Sequence, residues 1–396
     1  MREPSSHGRD GSNMPEATGF FRLTGAEAIL VRVPFRRPIA NSTGEHTHRR
    51  SWILRLFDDQ GHEGLGEAAV SPFADEVTTE ALARLMREIV PALPAGSLPA
   101  WADLAAEGEP GRAAMAAVEG AMADLTARRG AVRAGETGPA GTGGAAAATI
   151  PVSATVNFGG PDAGAEAATQ AVELGFGTLK LRAGFERSTD HLVARIRAIR
   201  SAVGPEPEIR IDAGGAWDLE TATERLDALR PFRIEYVEQP LPAWDLTGHA
   251  TLRERTRIPV ALDESIASEG DARAALAEGS ADVLIVKPAR VGGSSACRRI
   301  IAMASAAGVS VVLGSHTETG VGIAAALRLA GSLTGTIRPS AHEPAHGLAT
   351  AGILIHDLLE TPLPISHGRM TVPGTLVLDE TALSRYALER FEARGG

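Results

Sequence analysis

A regular alternation of short apolar strands and helical segments in the second part of the chain restricts its possible folds most strongly. Strands are predicted to begin near residues 151, 177, 208, 234, 259, 282 and 309. Helical periodicity follows several of them, at residues 163–174, 189–203, 219–229, 271–278 and 294–307. Repeats of roughly 25–30 residues predict parallel strands joined by right-handed crossovers.

The number of these repeats favours a closed barrel over an open sheet. There are seven clear units and a degenerate eighth before Asp357, which suits a (β/α) barrel of the modified TIM type. An open nucleotide-binding sheet would carry a glycine fingerprint after its first strand, and residues 157–161 do not provide one. The predicted fold class is therefore α/β, with a (β/α) barrel.

The rest of the chain predicts a second, α+β domain. Strand patterns occupy residues 23–67, interrupted by a polar stretch at 39–50 that we predict to be a mobile loop, and two helices follow. The predicted division is a disordered tail at 1–18, the α+β domain at 19–134, a flexible linker at 135–148, the barrel at 149–361, and a segment at 362–396 that returns to the α+β domain.

Charge and cysteine content exclude several classes of function. The formal net charge is −10, which argues against nucleic acid or an anionic membrane surface as a partner. The single cysteine, Cys297, cannot form an intrachain disulfide or a cysteine-rich zinc site. No apolar run is long enough to span a bilayer and the N-terminus has no secretion signal, so a cytoplasmic location is expected.

The carboxyl ends of the predicted strands are unusually polar. In a barrel these ends form the active site. Lys180 and Arg182 end the second strand and, being two residues apart, point in one direction. Lys287 ends the sixth strand, on the opposite wall of the barrel. A lysine that ends an apolar strand indicates a functional role, because structural lysines normally lie on the surface.

Three carboxylates end three consecutive strands, namely Asp212, Glu238 and Asp263. Neighbouring strands lie about 4.8 Å apart, so the three side chains can converge. Their hard oxygen ligands favour Mg²⁺, with Mn²⁺ as the alternative ion. For any one acid the competing interpretation is a helix cap or an ion pair with arginine. All three acids occupy the same position, at the end of their strands, and this favours the metal site.

A metal ion between two cationic walls suits the removal of a proton alpha to a carboxylate. The ion and a nearby ammonium would stabilise the enediolate, and a lysine would move the proton. The substrate would be a small carboxylate.

Five strings in this order resemble the enolase superfamily, in particular its muconate lactonizing enzyme subgroup: Lys-Leu-Arg at 180–182, Asp-Ala-Gly-Gly-Ala-Trp at 212–217, Glu-Gln-Pro at 238–240, Asp-Glu-Ser at 263–265 and Lys-Pro-Ala-Arg-Val-Gly-Gly at 287–293. Residues 64–68 are similar to the end of the family's capping domain, and residues 346–350 are most similar to o-succinylbenzoate synthases. The resemblance implies that Asp212, Glu238 and Asp263 bind Mg²⁺, that Lys287 is an acid/base or enolate-stabilising cation, and that the protein is a homo-oligomer.

Two positions depart from the family pattern. The second lysine of its Lys-x-Lys motif, the usual base, is Arg182 here, and arginine is a poor base at neutral pH. Lys287 would then be the only base with Arg182 as an electrostatic clamp, or Arg182 would be a base in a desolvated site, or catalysis would be lost and the metal site kept. The first alternative is favoured. Gly214 replaces a common asparagine beside the metal.

Other polar residues near the barrel mouth are candidates for substrate contact. His316 follows strand seven, but the aspartate that would orient a histidine base is not available, because Asp282 begins strand six at the other end of the barrel. A substrate-contacting or structural His316 is expected. Glu318 is expected to position the cations of strand two or to be a solvated loop acid. Asn41, His46 and His48 lie in the polar stretch and would give specificity.

These features leave four functions open. The leading one is β-elimination of water, as in o-succinylbenzoate synthases. Muconate-type cycloisomerisation needs only one lysine as acid/base, so it is compatible with Arg182. Racemisation or epimerisation of N-acylamino acids or dipeptides normally needs two bases, so Arg182 weakens it. A non-catalytic metal-binding barrel would bind Mg²⁺ without proton exchange.

Overall fold

The computed structural model of the chain describes residues 22–41, 44–133, 148–156, 159–333 and 343–395. The predicted tail at 1–18 and nearly all of the predicted linker at 135–148 lie outside these residues. Within the described ranges, no helix is both long and apolar enough to cross a membrane.

The N-terminal part is an antiparallel sheet covered by helices. Its elements are β1 (Leu23–Asn41), β2 (Gly44–Asp58), β3 (Glu63–Ala68), α1 (Glu76–Ala95), α2 (Trp101–Ala106) and α3 (Glu109–Arg133). Asp75 caps α1 by accepting a hydrogen bond from the Thr78 amide, and Gly96 ends the helix in the left-handed conformation. One face of the sheet packs against α1 and α3, and the other packs against the barrel.

The polar stretch at 39–50 is a hairpin end, so the predicted loop was wrong for its described part. Ile39 pairs with His46 and Ala40 pairs with Glu45. The polar composition of this stretch concealed the strands, because it gives no alternation of apolar and polar residues. Residues 42 and 43 lie outside the described residues.

A short strand, β4 (Thr149–Pro151), leads into the barrel, whose strands are parallel. They are β5 (Ala154–Val156), β6 (Thr178–Arg182), β7 (Glu208–Asp212), β8 (Ile234–Glu238), β9 (Val260–Leu262), β10 (Val283–Val286) and β11 (Ser310–Leu313). Their spatial order is the order of the chain. The predicted barrel strands are all present, and the predicted fold class is confirmed.

A two-residue bridge takes the eighth position. His346 pairs with Val152 on one side, and Gly347 pairs with Gly314 on the other. The His346 Nδ1 atom also accepts a hydrogen bond of 3.0 Å from the Leu313 amide. The barrel is therefore closed by backbone pairing at a point where the sequence has no apolar run.

Helices surround the barrel strands. They are α4 (Pro161–Glu173), α5 (Thr189–Val203), α6 (Leu219–Leu229), α7 (Leu246–Arg255), α8 (Glu269–Glu278), α9 (Pro288–Val291), α10 (Ser294–Ala306) and α11 (Gly320–Ser332). The sequence analysis missed α7, the four-residue α9, and α11. The last of these is apolar on nearly every side because it is buried between the barrel and the N-terminal domain, so it lacks an amphipathic period.

The C-terminal segment contains β12 (Ile365–Ser366), β13 (Arg369–Thr371), α12 (Glu380–Tyr386) and β14 (Ala387–Arg394). β14 pairs with β1, so the N-terminal sheet has the order β14-β1-β2-β3. The α+β domain thus contains both ends of the described chain, and we call it the capping domain.

Two carboxylates of the capping domain bind the N-termini of barrel helices. Glu67, in β3, accepts hydrogen bonds from the Thr319 and Gly322 amides at the start of α11. Glu119, in α3, accepts one of 2.9 Å from the Ser295 amide at the start of α10. Negative groups are favoured at helix N-termini, so these contacts fix the capping domain above the ends of strands six and seven.

Gly66 allows close contact between β3 and α3. A Cβ atom at this position would lie 2.0 Å from the Ala117 carbonyl oxygen. We expect Gly66→Ala to lower the free energy of unfolding by about 3 kcal/mol, since the helix backbone must move away. Gly130→Ala is the matched control in α3, where a Cβ atom meets nothing within 4 Å, and should raise it by about 0.5–1 kcal/mol. Urea denaturation measures both, and equal stabilities would contradict the close packing.

Candidate active site

The register of the parallel strands brings the predicted acids together. Arg182 pairs with Asp212, and Asp212 pairs with Glu238, so the polar ends of β6, β7 and β8 are level. Asp263 follows directly after β9. Only 8% of Asp212, 1% of Glu238 and 3% of Asp263 is exposed. Three buried carboxylates on neighbouring strands need positive charge close by.

Lys180 supplies part of that charge. Its Nζ atom lies 2.6 Å from Glu238 Oε1 and 3.1 Å from Asp212 Oδ2. One atom contacts both residues, so these two carboxylates converge on one point. Burial disfavours the ammonium form, but Asp212, Glu238 and Asp263 together hold the pKa of Lys180 above its usual range. Lys180 is therefore a fixed cation.

Lys287 and Arg290 contact the third acid. Lys287 Nζ lies 2.6 Å from Asp263 Oδ2, and Arg290 Nη1 donates to Asp263 Oδ1 at 2.6 Å. Burial opposes ionisation of Asp263, but the charges of Arg290 and the two lysines hold its pKa below the usual range. For Glu238, burial outweighs the attraction of the nearby cations, so the pKa of its carboxyl group is raised. The arrangement fixes Lys287 on the wall opposite Lys180.

The three acids suit a hard divalent ion by their chemistry. All are carboxylates, two of them converge on the position of one cation, and their combined charge is −3 when ionised. Across the described ranges, no three His, Cys, Asp or Glu side chains are placed so that they could hold a metal ion together. The ammonium groups of Lys180 and Lys287 contact the oxygens that a metal ion would bind, so the donor set fits Mg²⁺ once the lysines give up these contacts.

Arg182 lies at the edge of this cluster. Its side chain is 39% exposed, and its Nε atom is 3.8 Å from Asp212 Oδ2. The guanidinium is close enough to act on the charge at the site. Gly214 adopts a φ of 56°, and a Cβ atom there would meet Asp212 Oδ1 at an ordinary 3.9 Å. The asparagine common in the family would therefore fit this backbone.

The hydrogen bonds of His316 fix its protonation state. Its Nε2 atom accepts from Arg290 Nε at 2.9 Å, and its Nδ1 atom lies 3.5 Å from the Ala69 carbonyl oxygen. Arginine can only donate, so the proton is on Nδ1. Burial and the charges of Arg290 and Lys287 lower the pKa of His316 well below its usual value. The ring is neutral and its lone pair is occupied, which excludes it as a base in this arrangement.

The remaining predicted contacts lie on the capping-domain side. Glu318 accepts a hydrogen bond of 2.6 Å from the His316 amide, and burial, with repulsion from Glu67, raises its pKa to about 7. Among the hydrogen bonds of the described residues, Glu318 has none with Lys180 or Arg182. It is a buried acid rather than a solvated one.

Among the hairpin residues, His46 and His48 make different contacts. The ring of His46 packs edge-on against Phe73 with centroids 5.0 Å apart. His48 contacts Arg32 and Thr47 instead. The side chain of Asn41 lies outside the described part of the chain.

Lysine is extremely scarce in this chain. The 39 basic residues include only two lysines, Lys180 and Lys287, and both lie among the carboxylates. Every other basic residue is arginine, which supplies charge but not a proton-transferring amine. This compositional signal would have identified both residues without any motif.

This scarcity makes Lys180 directly observable. In metal-free protein labelled with ¹⁵N at lysine Nζ, we expect two side-chain signals, and we expect that of Lys180 to remain in the ammonium form through pH 10.5, because its three carboxylate neighbours favour the charge. NMR titration, with Lys180→Met for assignment, measures this. Deprotonation of Lys180 near neutral pH would show that it is not a fixed cation.

Sequence reasoning missed Arg290, Glu67 and Arg49. Arg290 lies three residues after Lys287, inside a motif used for the resemblance, so its spacing on the short α9 was a usable signal. Glu67 and Arg49 come from the capping domain, and nothing local in the sequence indicates which barrel residues they approach.

Buried acids and amines at the carboxyl ends of barrel strands, beneath a capping domain, define a class of two-domain barrel enzymes with an ionic active site. Comparison with known proteins agrees. The family model described as "Enolase C-terminal domain-like" matches residues 163–376, and the model for the "Mandelate racemase / muconate lactonizing enzyme, N-terminal domain" matches residues 25–133.

Individual proteins extend this match over most of the chain. The chain is 38% identical over 225 residues to an o-succinylbenzoate synthase of Thermobifida fusca, covering 57% of this chain and 67% of that protein. It is 32% identical over 369 residues to an N-succinylamino acid racemase of Thermus thermophilus, covering 89% and 92%. A probable mandelate racemase structure from Alicyclobacillus acidocaldarius has a TM-score of 0.75 and 28% identity, covering 94% and 99%.

The chain therefore belongs to the muconate lactonizing enzyme subgroup of the enolase superfamily, and it is an enzyme. Members of this superfamily typically use Mg²⁺.

Proposed function

We propose that this enzyme removes a proton alpha to a carboxylate and then eliminates water, as an o-succinylbenzoate synthase does, with Lys287 as its only base. One observation carries the proposal. Of the two lysines in the chain, Lys180 is held between Asp212 and Glu238, and the family's second base position is Arg182. Lys287 contacts a single carboxylate, that of Asp263, and is therefore the amine that is more easily released.

Asp212, Glu238 and Asp263 would hold Mg²⁺. When bound, the ion supplies positive charge that neutralises the three acids and stabilises negative charge developing on the substrate. Lys180 and Arg182 would add fixed positive charge on one wall. His316, neutral and held by Arg290, would contact the substrate, and Asn41 and His46 would contribute specificity from the hairpin.

The chemistry then requires one amine. Lys287 Nζ, released from Asp263 and having lost a proton to solvent, takes the alpha proton, and the electron pair of that C–H bond forms an enediolate. Collapse of the enediolate forms a carbon–carbon double bond and breaks the bond to the β-hydroxyl group. The ammonium of Lys287 returns its proton to the departing hydroxide, which leaves as water. Cations on the opposite wall stabilise the charge while it is on the substrate.

Cycloisomerisation is the second candidate, because it also uses one lysine on one face. Racemisation would require a second base on the wall of β6, where Arg182 is effectively always protonated. Relatives named o-succinylbenzoate synthase and N-succinylamino acid racemase are both similar to this chain, and Arg182 favours the first of these activities for it.

Proton NMR in D₂O with Mg²⁺ tests the proposal against a panel of N-succinylamino acids, dipeptides, muconates and the hydroxy-acid precursor of o-succinylbenzoate. We expect dehydration of the hydroxy acid and, with the amino-acid derivatives, deuterium exchange from one enantiomer. Arg182→Lys should add exchange from the other enantiomer, whereas Arg182→Gln should not. Comparable exchange from both enantiomers in the wild-type enzyme would refute the one-base mechanism.

A further inference from the structure

The side chain of Lys287 lies beside Gly314, which directly follows the neighbouring strand. β10 and β11 are parallel, and their last pair is Val286 with Leu313, so Gly314 comes level with Lys287 in the same register. Residues at one level of a pleated sheet point to the same face. A side chain at position 314 would therefore project into the barrel mouth next to the lysine.

The space for such a side chain is already filled by the aliphatic part of Lys287. A Cβ atom at Gly314 would lie 3.2 Å from both Cγ and Cε of Lys287, and 3.2 Å from Ile285 Cγ2. Ordinary contacts of a Cβ atom begin at 3.4 Å, so these neighbours would have to move. Contacts with two separate carbons of one side chain show that the lysine lies along the backbone at residue 314.

The lysine is the neighbour that can move most easily. The Gly314 amide donates to the Val286 carbonyl oxygen at 2.9 Å, and Gly347 pairs with Gly314 on the other side, so the backbone is held. Ile285 is 3% exposed and packs in the barrel interior in one cluster with Tyr236. Close-packed interiors resist displacement. A group added at position 314 would therefore displace the flexible side chain of Lys287.

Displacement of this side chain would also move its amine. Lys287 Nζ lies 2.6 Å from Asp263 Oδ2, after β9, while the aliphatic carbons lie against Gly314, after β11. Contacts on both sides thus define the position of Nζ. A general base must come within hydrogen-bond distance of the proton that it removes, and small errors of position cost much of the rate.

We infer that Gly314 is a positioning residue for Lys287. Because Gly314 has no side chain, the lysine can lie along β11 and direct Nζ to the substrate after it leaves Asp263. The inference rests on the proposed function, in which Lys287 is the base. Gly314 acts through the lysine alone, so its replacement should change the rate of proton removal rather than the binding of substrate.

Gly314→Ala adds only the Cβ atom and tests the inference. With Mg²⁺ and the hydroxy-acid precursor of o-succinylbenzoate, kcat for dehydration should fall about tenfold or more, while KM should change less than about twofold. Gly347→Ala is the matched control, because a Cβ atom there would lie 3.7 Å from Gly314 Cα, which is an ordinary contact. This variant should keep the wild-type kcat.

The position of Lys287 can also be followed without catalysis, because the chain has only two lysines. In metal-free protein labelled with ¹³C at lysine Cε, Lys180→Met assigns the two signals. Gly314→Ala should shift the Lys287 signal and leave that of Lys180 in place, and Gly347→Ala should leave both in place. In the wild-type protein, a nuclear Overhauser effect between Gly314 Hα and Lys287 Hε should show the same contact, and this needs no variant to fold.

The kinetic and NMR results separate the inference from the proposed function. A wild-type kcat in Gly314→Ala, an equal loss in Gly347→Ala, or an unchanged Lys287 signal would overturn the role of Gly314. A shifted Lys287 signal in a protein whose wild type does not dehydrate the hydroxy acid would support the contact and refute the proposed elimination. Dehydration that is unaffected by Gly314→Ala would support the elimination and refute the role of Gly314.

Discussion

Replacing Lys287 with alanine should slow alpha-proton removal by about 10³-fold or more, because a positioned general base contributes factors of 10² to 10⁴. Lys180 is a poorer base, since two carboxylates contact its ammonium and favour the charged form, whereas only Asp263 contacts Lys287. Lys287→Arg should be nearly as inactive, because guanidinium keeps the charge but does not accept a proton at neutral pH. Deuterium exchange into the substrate, followed by proton NMR, measures both effects.

A surface charge provides the control for this pair of variants. Arg298 lies in α10, where its exposed guanidinium donates to Ser332 Oγ, and Arg298→Ala should leave the exchange rate unchanged. If Lys287→Arg retained most of the wild-type rate, positive charge rather than proton transfer would be the function of Lys287. If Lys287→Ala retained it, the base would lie elsewhere.

The barrel and its ionic residues could be predicted because both are encoded locally. Parallel strands read as short apolar runs, and Asp212, Glu238 and Lys287 interrupt that pattern at the one end where barrels bind substrates. Asp282, at the other end of strand six, instead accepts hydrogen bonds from the Val260 amide and from Arg253. Strand position therefore separates an acid of the site from a structural one.

The contacts of the capping domain could not be predicted in the same way. Glu67 is 252 residues from Thr319 in sequence, and its role as a helix cap exists only once the two domains have docked. Arg49 lies in the polar stretch predicted to be a mobile loop, yet it is part of β2 and is buried. The sequence predicted a degenerate eighth unit before Asp357, but not that His346 and Gly347 form it, because two paired residues produce no apolar run.

Substitution of Glu238 by glutamine should weaken Mg²⁺ binding by about 100-fold, because affinity for hard cations depends on the number of charged oxygen ligands. Glutamine keeps the shape of the side chain and removes one negative charge from the point where Glu238 and Asp212 converge. Calorimetric titration with Mg²⁺ alone measures the effect without any substrate. Asp227→Asn, which removes a carboxylate from an exposed pair with Arg230, is the control and should bind Mg²⁺ as wild type does. Unchanged affinity in Glu238→Gln would place the metal ion elsewhere. Lys180 would then be a permanent partner of these two acids, rather than a cation that shares them with Mg²⁺.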